Sequence, residues 1–184
     1  MGESISCEPF TMHRSLRGND ILVEGGRVSG SGLALGCAPV EQDSAYWEVT
    51  VASLPQGGVV SLGVSRPPSP DEDKEAFLGK TSIGDGVKTW GISTENGGAA
   101  ATMKEGDVIG IALDFTDLPM LFFSRGGAAF GEGDELSVMR IRGTVYPAVG
   151  VAGGAVVTVA YAKQSLAYPP PRKCQALVVG QDMI

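Results

Sequence analysis

The sequence holds a single histidine, His13, and only three cysteines, Cys7, Cys37 and Cys174. Each scarcity closes off a class of chemistry. One imidazole cannot build a multi-histidine metal centre, and as a catalytic base it would need a nucleophile brought beside it by the fold. Next to Arg14 it reads as a surface side chain. The cysteines are odd in number, far apart and without C-x-x-C spacing, which argues against a zinc site and for reduced thiols in a cytoplasmic protein. Positive charge is short as well, with 14 Lys and Arg against 21 Asp and Glu and a net charge of -7. Nucleic-acid backbones are held by clustered cations that displace counterions, so no nucleic-acid partner is expected.

Long helical runs are missing too. With 27 glycines and 11 prolines, nearly every apolar window is interrupted before a helix could complete three turns. The uncharged stretch 143–162 is long enough for a membrane span and places Gly150 and Gly154 at GxxxG spacing. Pro147, the glycines and the β-branched alternation make strand, turn, strand the better reading, and no transmembrane segment is expected. No apolar run follows Met1 to Ser6 that could serve a secretory signal. Those first residues do fit the pattern for N-myristoylation at Gly2, although Glu3 beside the acceptor opposes it.

What is present is β-sheet patterning. From Lys104 to Phe130, Ile109, Ile111 and Leu113 alternate with Val108, Gly110 and Ala112, and after Asp117-Leu118-Pro119 the run Met120 to Phe123 supplies a second strand. Trp47, Val49 and Val51 share one face of another strand and Tyr46, Glu48 and Thr50 the other. Further strands are expected at 4–12, at 21–23 and 27–29 around Gly25-Gly26, at 33–40, 59–65, 87–92, 141–149 and 151–160. Gly30-Ser31-Gly32 should change the chain's direction, and Glu95 to Gly98 should return a hairpin. Arg66 to Glu75 is the longest irregular insertion, too proline-rich and charged for a sheet. The fold class is all-β, in a single domain over 1–184 with its core at about 20–171 and a 172–184 tail that adds an edge strand or dangles.

Apparent catalytic features have simpler readings. Asp71-Glu72-Asp73 lacks the spacing of a calcium loop. Asp114 and Asp117 sit where carboxylates cap backbone N–H groups rather than form an acid/base pair. The glycine clusters match neither phosphate-binding pattern and serve turns. Trp47, Trp90, Phe115, Phe122, Phe123 and Tyr146 lie in strand patterns and are expected in the core. Function is left to the loops, Arg66 to Glu75 foremost.

The order of motifs carries a resemblance. Tyr46-Trp47-Glu48-Val49, Gly63-Val64, Thr89-Trp90-Gly91, Glu105 to Gly110, Phe122 to Gly126 and Val145 to Val149 together resemble a SPRY domain, over roughly residues 20–171. The resemblance implies a bent antiparallel β-sandwich of the concanavalin-like jelly-roll type, no catalysis or cofactor, and a protein or peptide partner held by loops at one end. The expected contacts are Arg66, Pro67, Lys80, Ala152 and Gly153. In peptide-binding relatives a tryptophan follows the Tyr-Pro strand, whereas glycine stands here near Gly153. A structural subunit of a larger cytoplasmic assembly is the alternative role. The intact mass of the protein from its own cells is expected to lack a myristoyl increment; an added acyl mass would place the chain on membranes by a weak, reversible anchor.

Overall fold

The computed structural model describes residues 9–130, 137–171 and 173–179, so the expectations that fell on Gly2, Cys7, 4–8 and the end of the tail lie outside the described residues. The strands are β1 (Met12–Arg17), β2 (Asp20–Glu24), β3 (Arg27–Gly36), β4 (Ser44–Ser53) and β5 (Val59–Ser65), then β6 (Thr89–Ser93), β7 (Val108–Asp114), β8 (Met120–Arg125), β9 (Ala128–Ala129), β10 (Ser137–Met139), β11 (Tyr146–Ala152), β12 (Val156–Ala160) and β13 (Gln175–Ala176). A five-residue helix, α1 (Lys74–Leu78), interrupts them.

These strands form two layers, as expected for an antiparallel sandwich. Sheet A runs β1-β3-β11-β5-β6 and sheet B runs β10-β8-β7-β4-β12-β3-β2. β3 belongs to both. Its residues 27–31 pair with β2 and β12 in sheet B, and residues 32–36 pair with β11 and β1 in sheet A. The switch falls at Gly30-Ser31-Gly32, where the sequence signals a change of direction, and such bends make the corners of sandwiches.

Alternation decides what fills the space between the sheets. Trp47, Val49 and Val51 of β4, Ile109, Ile111 and Leu113 of β7, and Leu121 of β8 meet Val60, Leu62 and Val64 of β5 and Val149 and Val151 of β11, all essentially without solvent exposure. Full burial stabilises each such side chain by roughly 1.5–3 kcal/mol. The indole N–H groups of Trp47 and Trp90 are buried with no acceptor among the described residues. Each lost bond costs about 1–3 kcal/mol, against about 5 kcal/mol for burying some 200 Å² of ring at 25 cal/mol per Å². Ring burial wins.

The outward faces are buried as well, which simple alternation does not show. On sheet A, Phe77 and Leu78 of α1, with Ile83, lie over Leu33, Leu35 and Ala148 in a second small core. On sheet B, the stretch 163–171 crosses β4 on the outside. Glu48, only 2% exposed, anchors it by accepting the backbone N–H groups of Ala167 at 2.6 Å and Tyr168 at 3.0 Å, and it also takes the Tyr46 hydroxyl proton bond at 2.8 Å.

Several elements differ from the sequence expectation, each for a local reason. The first strand lies at Met12–Arg17, over residues that read as its end and a polar loop. There His13 Nδ1 accepts from the backbone N–H groups of Ser15 at 3.0 Å and Leu16 at 2.9 Å, supporting a bulge between the pairs Met12–Gly36 and Arg17–Ala34. No hairpin forms at Glu95 to Gly98. β6 pairs with β5 alone, and two 3-10 turns, Thr94–Asn96 and Gly98–Thr102, carry the chain across to β7 in sheet B. The expected strand from Ile141 begins only at Tyr146, after Arg140 and Gly143 take positive φ. Phe122 points outward at 43% exposure, while Leu121 and Phe123 face in.

Replacing Glu48 by alanine would leave three donors without their acceptor. A loss of about 3 kcal/mol is expected in urea unfolding, since each buried orphan costs about 1–3 kcal/mol. Glu48→Gln, which keeps an acceptor oxygen, should lose less; equal stability of wild type and alanine variant would show the outer segment to be unanchored.

Candidate functional site

The excursion between β5 and β6 leaves the sheet at Arg66 and returns at Lys88, whose carbonyl accepts the Arg66 N–H at 3.0 Å. Prolines 67, 68 and 70 keep the first part out of the ladder. Asp73 then starts α1 as its N-cap, its carboxylate accepting from Glu75 and Ala76 N–H. Glu72 is the central acceptor. Its Oε1 takes Arg66 Nη1 at 2.6 Å and the Ser69 N–H at 2.9 Å, and its Oε2 takes Lys88 Nζ at 2.9 Å. Arg66, the Ser69 backbone and Lys88 together hold its carboxyl far below the usual carboxylate range. Both cations also lie over the Phe77 ring, at 5.3 and 5.9 Å from its centroid.

The returning loop is braced in the same manner. Asp85 Oδ1 accepts the N–H groups of Val87, Lys88 and Thr89 between 2.7 and 2.9 Å. Burial alone would raise this carboxyl, but those N–H groups and Lys80 bring it down on balance. Between the two halves lies an open cleft of about 260 Å³, bordered by Glu72, Ala76, Phe77, Lys80 and Lys88. Its carboxylates are occupied by internal donors, whereas Lys80 is exposed and, among the described residues, has no carboxylate within 4 Å.

The five expected contact residues do not fall at one place. Arg66 and Pro67 follow the end of β5 that pairs with Tyr146, and Arg66 also donates to the Pro67 carbonyl at 3.0 Å. Lys80 shares the cleft with Glu72, the carboxylate that Arg66 holds. Ala152 and Gly153 lie at the other end of the same strand pair, where Ala152 is opposite Val59. Seven paired residues separate the two ends, roughly 20 Å at 3.3 Å per residue. Glu72, Phe77 and Lys88 belong to the cleft but were not singled out from the sequence. Phe77, a lone aromatic following a charged, proline-rich run, is the signal that could have found it.

His13 and Asp114, the residues weighed for acid/base chemistry, hold backbone groups. His13 Nδ1 already accepts two N–H groups, and burial followed by Lys74 lowers its pKa. Asp114 caps Thr116 at 2.8 Å and does not form a pair with Asp117. Cys37 and Cys174 are free, and burial with Asp114 pushes the Cys174 thiol up.

The comparisons with known proteins agree with this geometry. A family model for the SPRY domain matches residues 44–164. The chain belongs to the SPRY domain family. SPRY domains are known as protein-interaction modules and are generally non-catalytic. SPRY domain-containing protein 7 of Gallus gallus is 27% identical over 167 residues, covering 84% of this chain and 76% of that protein, and its Bos taurus counterpart is 26% identical over 169 residues with the same coverage. Among solved structures, the Drosophila melanogaster neuralized NHR1 domain superposes with a TM-score of 0.56 at 13% identity, over 82% of this chain and 96% of that one. The TRIM65 PSpry domain gives 0.53 at 15% identity, over 83% and 92%. At such identities these two show the fold alone. Within this SPRY domain the Tyr46-Trp47-Glu48-Val49 motif has a divided structural role, Trp47 and Val49 in the core and Tyr46 and Glu48 holding the outer segment.

Glu72 ties acid sensitivity to the excursion. Its folded pKa is depressed, so its stabilisation is present above the unfolded value near 4.5 and is lost as pH falls below that toward the folded value. Glu72→Gln should therefore lower the melting temperature modestly at pH 7 and flatten the acid limb below pH 4.5. A variant melting curve with wild-type pH dependence would remove Glu72 from this role.

Proposed function

We propose that this SPRY domain is a cytoplasmic, non-catalytic module that binds a protein or peptide partner through the excursion over sheet A, with Arg66, Pro67 and Lys80 on the contact surface. The observation that carries the reading is Lys80: an exposed cation with, among the described residues, no carboxylate within 4 Å, on the rim of a cleft whose other charged groups are paired or capped. A loop built this way is rigid before binding, because Glu72, Asp73 and Asp85 have already ordered it. Pre-ordering removes part of the entropic cost of association.

The two cations report different things. Lys80→Glu changes the rim and keeps every hydrogen bond of the brace, losing only the longer-range attraction to Asp85, so capture of the partner in a cross-linking pull-down should fall about tenfold with at most a small drop in melting temperature; this is a charge reversal in a desolvated contact, worth roughly 1.4 kcal/mol or more. Arg66→Glu places a second carboxylate beside Glu72 and should lower both capture and stability. Ala152→Glu, roughly 20 Å away along the strands, is the control and should leave capture unchanged. Undiminished recovery with Lys80→Glu would overturn the assignment.

A further inference from the structure

A different surface, away from the cleft, is the edge of sheet B beside Gln42. After the outer segment, the chain returns to sheet B as β13, running parallel to β4 with Gln175 opposite Ala45 and Ala176 opposite Tyr46. It occupies the edge that β12 leaves uncovered, since β12 pairs with β4 only from Glu48 onward. The Gln42 amide brackets the segment from the side. Its Nε2 donates to the Ala176 carbonyl and its Oε1 accepts from the Val178 N–H, both at 3.0 Å. Between these bonds Leu177 enters the main core at 3% exposure, while Val178 next to it is 50% exposed. Backbone pairing at a sheet edge with one buried side chain is how extended peptides add to sheets.

Three features set this segment apart from an integral strand. Its ladder is two residues long, whereas β4 and β7 share seven pairs. It lies beyond the SPRY match, which ends at residue 164, so within the matched unit no described strand covers this side of Ala45 and Tyr46. Its packing on the outer side is also open, for a cavity of about 460 Å³ lies between the tail residues Cys174, Gln175, Ala176 and Val178 and the outer-segment residues Lys163 and Pro170.

We infer that the Gln42 edge of β4 is a peptide-docking groove, held in cis by residues 173–179 and able to take in trans an extended, uncharged partner segment with a leucine-sized side chain for the Leu177 pocket. Gln42 reads the backbone of that segment, the core pocket reads its apolar residue, and the chain's own tail sets how accessible the groove is.

The test uses the full chain and a fluorescein-labelled peptide with the uncharged segment Ser-Gln-Ala-Leu-Val-Val, followed by anisotropy. Binding to Leu177→Asp, which empties the pocket in place, should be at least tenfold tighter than to wild type. It should vanish when Gln42→Ala is added or when the peptide carries aspartate for leucine. A folded Leu177→Asp chain that ignores the peptide overturns the inference. Should that variant fail to fold, hydrogen exchange on wild type decides: the Val178 amide is expected to exchange at least 100-fold faster than those of Trp47 and Val49, through local release of the tail. Exchange of Val178 only with global unfolding would make β13 an integral strand, and a concentration-dependent wild-type dimer formed by tail exchange would assign the groove to a second copy; either result overturns the proposal.

Discussion

The passage of β3 from one sheet to the other is the constraint on which the rest depends. Gly30 and Gly32 hold φ values of +98° and +136°, in the region that L side chains rarely adopt. Space is lacking as well, since a Cβ on Gly30 would overlap the Asp20 carbonyl oxygen and one on Gly32 would lie 2.7 Å from that of Leu78. Because one continuous strand serves both sheets, the layers cannot slide apart without breaking its ladders. The same bend brings Leu33 and Leu35 to the outside of sheet A, where α1 covers them.

From that corner the molecule is built outward in covers, each fastened by a carboxylate used as an acceptor. Glu48 fastens the outer segment of sheet B through backbone N–H groups, and Glu72, Asp73 and Asp85 fasten the excursion over sheet A. For Glu48, the buried one of these, the bonds replace lost hydration. Beside these covers stand a lysine on a rim and a glutamine that brackets a sheet edge, groups suited to holding another chain.

The two proposed surfaces differ in physical kind. The cleft beside Lys80 has an apolar floor at Ala76 and Phe77 and a charged rim, is pre-ordered and is reached from solvent, so charge governs its rim and salt should weaken binding there. The Gln42 groove is governed by backbone pairing and one apolar pocket, already filled by the chain itself. A cis occupant lowers the apparent affinity for a trans segment by the fraction of time the groove is closed.

The sequence by itself determined the fold class and the core. Period-two alternation at Trp47-Val49-Val51 and Ile109-Ile111-Leu113 requires one shared apolar face, and the glycines at 30 and 32 require a bend, because both follow from local sterics and the burial of apolar surface. It also marked the irregular insertion from Arg66 to Glu75, since long polar loops are legible as composition. Tertiary structure alone decided that Arg66 and Gly153 lie at opposite ends of one strand pair, that Glu72 rather than a free cation organises the cleft, and that Glu48 and Gln42 hold segments well over a hundred residues away. Those outcomes depend on the register between strands distant in sequence and on what covers a sheet's second face. Alternation records which side of a strand is apolar, but it carries no record of which remote segment will come to lie on the other side.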